Sequence, residues 1–597
     1  MLRTPRRAAA VAGVAGLACL TLLALPQPGV AAGAGPRFHP PSRADAPPVQ
    51  QAIGATSESE PATVIGKDGT RYVAYQGGSQ LSWTRDGGKH WTYVGGNNPV
   101  SVLSRNVTGC IAADDIGDVD LTVDQVGRVY FADLQGTVGT GGADTGIEPV
   151  VATSDDRFAH YSGTCAAHQP ASVDREWMAA WTAPGKPASR SDVYMSYHDF
   201  SINTIWVNAS HDGGKTWGPP VNAITSPDAV GQSFCDTIPG GTAVDPRTGW
   251  VYAAWLAGSN TIDNVGTGCN YTQGSVFNNL WVAVSKDRGA TWTDTHAVTT
   301  PGVTAPSPSD SSEIFASIAA DTKGGVYVSL PTYVSGQYQM YVVYSPEADG
   351  AGLLHFRPPV KVNAPEAKTA YFGRIVAGDT GRIDILYLGS STANVNATPT
   401  NIAADNGTDT TKPNCVPGAT EPGHGVKFPG KPCELPATAK WYLYMAQSLD
   451  FTSSKPAVSN TLLRSDPVHV GDICTAGIFC LPGDDRDLAD TNDIKIDPTG
   501  GAQVAYTYEK PDRSETNIQF QCQQSGTGLY AGVNVRDCQA AAAVTTRTTH
   551  GVNSRQAHGG RGLATTGGLH LALPALFVVL LAIVVRRRRA LRCDGKS

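Results

Sequence analysis

Charge and methionine are scarce in this chain. Only 16% of its 597 residues are Asp, Glu, Lys or Arg, and five are Met. Coiled coils and helical bundles depend on charged flanks and straight-chain residues, so neither is expected as the main architecture. Zinc-type spacing is also missing, with no CxxC pair and no Cys/His run. What is plentiful is Gly (66), Pro (40), Tyr (21) and Trp (11), within 41% hydrophobic residues. That fraction supports a core and rules out wholesale disorder. Gly and Pro among β-branched and aromatic residues predict a turn-rich, all-β protein.

Both ends read as addresses. Arg3, Arg6 and Arg7 precede an apolar run from Ala8 to Leu25, and small residues end at Val30-Ala31-Ala32. That order predicts a secretory signal peptide over 1–32, cleaved near Ala32, followed by an N-terminal linker over 33–56. At the other end Leu563-Ala564-Thr565-Thr566-Gly567 precedes an apolar stretch, Leu569 to Val585, and four arginines, Arg586 to Arg589. At ~1.5 Å per residue the stretch just reaches across a bilayer core, with the basic tail 586–597 held in the cytoplasm. Pentapeptide, span and basic tail in this order resemble the sorting signal of Gram-positive surface proteins, in the LAxTG variant read by class E sortases. The resemblance implies cleavage between Thr566 and Gly567 and transfer of Thr566 to a cell-wall amine, with the sortase and the wall peptide as partners. Residues 540–562, rich in Ala, Thr, Gly and His without hydrophobic periodicity, read as a flexible wall linker.

Removing the two addresses changes the charge. Nine of 45 Lys+Arg and one of 52 Asp+Glu go with them, leaving 36 and 51, a net charge of −15 in place of −7. Such an exported domain is expected to bind neither nucleic acid nor an anionic membrane. Ten of the twelve cysteines remain: Cys110, Cys165, Cys235, Cys269, Cys415, Cys433, Cys474, Cys480, Cys522 and Cys538. An even count in an exported chain predicts disulfides. Spacing leaves their connectivity open; pairing of neighbours (110–165, 235–269, 415–433, 474–480, 522–538) would staple local loops.

A repeat organises the middle. Short strands flank an Asp/Gly turn at Asp68, Asp124, Asp245, Asp321, Asp379 and Asp497, and more loosely from Asp174 to Phe200. Each copy reads as a hairpin. A second pattern follows several of them: Thr84 to Trp91 (TRDGGKHW), Ser210 to Trp217 (SHDGGKTW) and Ser285 to Trp292 (SKDRGATW), with weaker forms at Ser154, Ser345 and Ser448. These resemble the Asp-box, or BNR repeat, of sialidases and related β-propellers. In such a box the Asp accepts bonds from its own turn, Gly supplies a positive φ and Trp packs on a neighbour. Asp86, Asp212, Asp287, Trp91, Trp217 and Trp292 are therefore read as structural. Hairpin plus box makes a four-stranded blade, and the fold class is an all-β propeller over 57–539. Counting gives seven units; the sialidase resemblance implies six.

Blade topology places the tight turns on one face and the longer insertions, Gly136 to Gly146, Ala257 to Asn279 and Gly389 to Lys440, on the other, which is where function is expected. Strand A of each unit starts on that second face. Its first residues are Glu60, Asp118 and Asp120, Asp174 with Arg175 and Glu176, Asp236, Glu313, Arg374, and Asp490 with Asp493. This ring is a candidate ligand-binding rim, compatible with a structural or ligand-bridging divalent cation such as calcium. No other cofactor is evident.

A sialidase resemblance would imply three arginines on the substrate carboxylate, a Tyr nucleophile paired with Glu, and an Asp acid/base. The family's first arginine precedes the first Asp-box blade, where this chain has Ser59-Glu60-Pro61-Ala62, reversing the charge. Arg175, Arg374 and Arg486 remain as basic candidates, and Tyr197, Tyr371 and Tyr508 as phenols. Two readings stand. One is a monomeric, exported, wall-anchored propeller binding an extracellular glycan or surface protein through its insertion-loop face. The other is an active exo-α-sialidase, or another surface glycoside hydrolase with paired acids such as Asp174/Glu176 or Asp118/Asp120. The anchor makes its own prediction: replacing Thr566-Gly567 by Ala-Ala shifts the protein from the wall fraction to the membrane, and unchanged wall attachment would contradict it.

Overall fold

Period-two alternation in a strand normally marks one buried face and one wet face; here both faces are buried, each against a different neighbour. Along Val251–Gly258, Val251, Ala253 and Trp255 pack with Tyr194, Ile205 and Val207. The intervening Tyr252, Ala254 and Leu256 pack with Val326, Val328 and Leu330. A sheet covered on both sides by its sequence neighbours must be stacked radially, and this is what the computed structural model shows. It describes residues 35–45, 59–76, 80–94, 107–108, 111–112, 118–138, 144–166, 173–199, 202–234, 236–258, 277, 279–299, 315–334, 337–393, 439–471, 473, 488, 490–510 and 515–540. The chain divides into units 1–34 and 35–597, the first lying wholly outside those residues.

The second unit is a seven-bladed β-propeller of antiparallel blades. The innermost strands of blades 1 to 7 are Ser59–Ile65, Val119–Val123, Val173–Trp181, Asp236–Val244, Ser317–Ala320, Thr369–Ala377 and Asp493–Ile496. Blades 1, 3, 4 and 5 are plain four-stranded meanders. Seven hydrophobic clusters fill the seven interfaces between blades. The count of seven units holds, and the six implied by resemblance does not.

The turns form as their residues dictate. Asp124 Oδ1 accepts from the N–H groups of Val126, Gly127 and Arg128, and Asp321 Oδ1 from Lys323 and Gly325. In the Asp-boxes, Asp86, Asp212 and Asp287 accept from the N–H groups of His90, Thr216 and Thr291 at 2.8–3.0 Å. Trp217 Nε1 donates to Thr164 of the preceding blade, and Trp91 packs edge-on against Phe520 of blade 7. Partial burial alone would raise the three box carboxyls, but bonds from their own turns hold them below the ordinary range. They are ionised acceptors, not acids available for catalysis.

The ring closes with strands from both ends of the chain. Arg37–Phe38 and Ser42–Arg43 pair antiparallel with Thr516–Ser525, completing blade 7. This corrects the reading of 33–56 as a linker: part of it is blade. A strap over 526–540 then crosses the seam. Asp379 N–H of blade 6 donates to Leu529 O, Gln539 Nε2 donates to Gly87 O of blade 1, and Cys522 is disulfide-bonded to Cys538. Gly87 has φ +67°, and a Cβ there would come within 2.7 Å of Cys538 O, so the strap requires glycine.

Cys165 is disulfide-bonded. Cys110, Cys235, Cys269, Cys415, Cys433, Cys474 and Cys480 lie outside the described residues, as does everything after 540, including the pentapeptide Leu563 to Gly567 and the apolar stretch. Among the described residues no helix is long and apolar enough to cross a membrane. Closing a loop with a sequence separation of 16, the Cys522–Cys538 bond should stabilise the ring by about 3 kcal/mol. Cys522→Ser with Cys538→Ser should therefore lower the denaturant midpoint and, by letting the unfolded chain expand, steepen the slope.

Candidate functional site

Bringing seven strand starts to one axis gathers their side chains. Three inner strands carry a β-bulge at the same place, between Ser59 and Ala62, Asp174 and Trp177, and Tyr371 and Arg374. The first bulge residues, Glu60, Arg175 and Phe372, have φ of 49°, 52° and 55°. Left-handed backbone at a non-glycine costs about 1–3 kcal/mol and re-aims the residues around it.

At the mouth Arg175 is the hub. Its Nη1 lies 2.7 Å from Glu60 Oε2 and 3.2 Å from Asp118 Oδ1, all three groups buried. Glu60 Oε1 accepts from the N–H of Asp490, and Gln76 Nε2 donates to Asp118. Burial, and then the charge of Asp118, push the carboxyls of Glu60, Asp174 and Glu176 well above the ordinary range. Burial alone would lower Arg175, but Asp118, Glu60, Glu176 and Asp490 together raise it. His198 faces Asp174 across the strand pair, and burial holds its imidazole neutral, with its pKa lowered to about 3.

Deeper along the axis, Trp177 carries two guanidinium groups, Arg175 at 4.2 Å and Arg374 at 4.0 Å from its ring centroid. Arg374 Nε is 3.6 Å from Asp493 Oδ1, and Lys495 Nζ is 2.8 Å from both oxygens of that carboxylate. Asp120 Oδ2 accepts from Met178 N–H at 2.6 Å, and burial raises its pKa to about 6. A cavity of about 300 Å³ begins at Asp120, Trp177 and Arg374. It continues to Ile65, Val123, Ala320 and Ala377, at or near the ends of the inner strands, so it opens on the tight-turn face.

The rim residues thus separate. Glu60, Asp118, Asp174, Arg175, Glu176 and Asp490 converge at the mouth, while Asp120, Arg374 and Asp493 lie deeper. Glu313, Arg486 and the side chain of Asp236 lie outside the described residues. The phenols do not converge. Tyr197 is buried and donates to Asn208 Oδ1, Tyr371 is buried and stacked on Trp441, and Tyr508 lies under Arg464. The contacts described for these three phenols are to Asn208, Trp441 and Arg464, and Arg175 and Arg374 each lie beside an acid. As for a metal, one trio of ligand-type side chains among the described residues comes within 4.8 Å, His39, Asp537 and Cys538, but its sulfur is in the disulfide.

Sequence reasoning passed over Trp177 and Lys495. Their signal was positional: each lies two or three residues after a strand-start acid on an inner strand. It also passed over the connections at the mouth. There Ile202, Val230 and Phe234 are 59%, 52% and 67% exposed, above the other large hydrophobic side chains among the described residues, which reach 46%. Asn203 Nδ2 donates to Phe234 O, tying two of these connections together.

No protein-family model and no curated protein matches the chain. Solved structures similar in fold include a polysaccharide lyase, PL25 ulvan lyase bound to -[GlcA(1-4)Rha3S]- (13% identity, 80% of this chain and 96% of that one, TM-score 0.44). Another is the intramolecular trans-sialidase from Ruminococcus gnavus in complex with oseltamivir carboxylate (12%, 79% and 95%, TM-score 0.33). A third is the Hadza microbial sialidase Hz136 (14%, 56% of this chain, TM-score 0.33), of whose length this chain spans 64%.

The buried acids set a pH dependence. A carboxyl raised in the fold keeps a proton that the unfolded chain has lost, so stability falls as pH rises from about 4, the unfolded value. Asp120 leaves that window at about 6, and buried Asp384, raised chiefly by burial, at about 7. Asp384→Asn keeps an acceptor for Gln447 Nε2, so it should add on the order of a few kcal/mol at pH 8 and little at pH 4. Urea midpoints across that range test the slope.

Proposed function

We propose that this chain is an exported, wall-anchored propeller that binds an extracellular glycan or surface ligand through its insertion-loop face without hydrolysing it. The observation that carries the reading is the mouth itself: its most exposed apolar side chains, Ile202, Val230 and Phe234, sit on the connections around an amide, Asn203. An aromatic ring beside apolar contacts and an amide is the chemistry of a ligand platform. Of the acids at the mouth, Glu60 and Asp118 are folded into ion pairs with Arg175. The three candidate phenols are occupied elsewhere.

A glycan array and a fluorogenic sialoside assay on the purified protein test this together. Expected are glycan capture weakened about tenfold or more by Phe234→Ala, equivalent to about 1.4 kcal/mol, and no sialoside turnover. Turnover that Arg374→Ala abolishes would overturn the reading in favour of hydrolysis.

A further inference from the structure

A central cavity lined by all seven inner strands opens on the face opposite the mouth. Its floor has hydrogen-bonding groups left over. Trp177 is almost fully buried, and its Nε1–H has no partner. Among the described residues, Arg374 meets Asp493 only through Nε, and no other acceptor takes its remaining N–H groups. Asp120 uses one carboxylate oxygen for Met178 N–H and offers the other. Arg374 and Asp120 both line the cavity, so it presents a donor group and an acceptor group to a guest that supplies their complements.

The charges say what kind of guest. Arg374 and Lys495 stand against Asp493 and Asp120, so the floor is balanced and selects neither an anion nor a cation. Above it, towards the turn face, Val64, Ile65, Val123, Ala320, Ala377 and Ile496 make an apolar collar. The volume of about 300 Å³ is at the lower end for small-molecule sites. We infer that the channel takes one neutral, polyhydroxylated guest of hexose size from the tight-turn face, its hydroxyls meeting Arg374 and Asp120 and its C–H faces meeting the collar. This goes beyond the mouth-face reading and shares with it only the carbohydrate class.

Titration calorimetry of the purified protein with D-glucose, D-galactose and D-glucuronate tests it. Expected is saturable binding of a neutral hexose, one per chain, weakened about tenfold or more by Asp120→Asn and by Ala377→Trp, which narrows the entrance without touching the floor. Three results would overturn it: no saturable binding of either hexose to the unmodified protein, glucuronate binding tighter than both, or hexose binding indifferent to Ala377→Trp. Should Asp120→Asn fail to fold, the entrance variant and the comparison of the three sugars still decide. Glycan-array capture that persists while the hexose titrations fail would sink the channel and leave the mouth-face reading standing.

Discussion

Closure of the ring is the constraint on which the rest depends. Every blade has two apolar faces and no way to bury both alone, so each is stable only between two others. The first and last blades meet this requirement only through each other, across the cluster of Val73, Tyr75, Ala505, Ile518 and Phe520. The seam is held by side chains as well as by strands: Arg71 is paired with Asp497, and Gln503 donates to Thr63 Oγ1 and Val64 O. Without this seam a pair of blade faces would be left open to water.

Closure also creates the charge problem at the axis. Strand starts that would be scattered on an open array are forced together, and most of them are acidic. The structure answers with Arg175 at the mouth and with Arg374 and Lys495 below it, each in contact with a carboxylate. Buried ion pairs of this kind add little net stability, but breaking one is costly because the partner is left charged and dry. The same arrangement explains why the arginines are poor candidates for gripping an outside carboxylate. Arg175 is held by Glu60 and Asp118, the charge of Arg374 is offset by Asp493, and Trp177 lies against both guanidinium groups.

Much of the fold was legible because its signals are local. The Asp/Gly turns and Asp-boxes are sentence-length patterns whose bonds form within about four residues, as at Asp124 and Asp287. The blade count followed from repetition, and counting proved a better guide than resemblance. The closing strands were not legible. Arg37–Phe38 and Ser42–Arg43 are two residues each, too short for any periodicity, and their partner lies almost 480 residues away, as in the pairing of Ser42 with Phe520. Nor were the bulges at Glu60, Arg175 and Phe372, since nothing in those residue types asks for a positive φ.

The candidate site divides along the same line. That Glu60, Asp118, Asp174, Asp236 and Asp493 stand at or beside the starts of inner strands was legible through the spacing of the hairpins, whereas Arg374 lies inside Thr369–Ala377. Which of them meet, and which are consumed in doing so, was decided only when the ring closed. Glu60 and Arg175 are 115 residues apart along the chain and 2.7 Å apart in space. Local patterns carry turn chemistry because a turn is made by adjacent residues. Pairing of charges, the opening of the channel and the occupation of each arginine are properties of seven blades at once, and no window along the chain contains them.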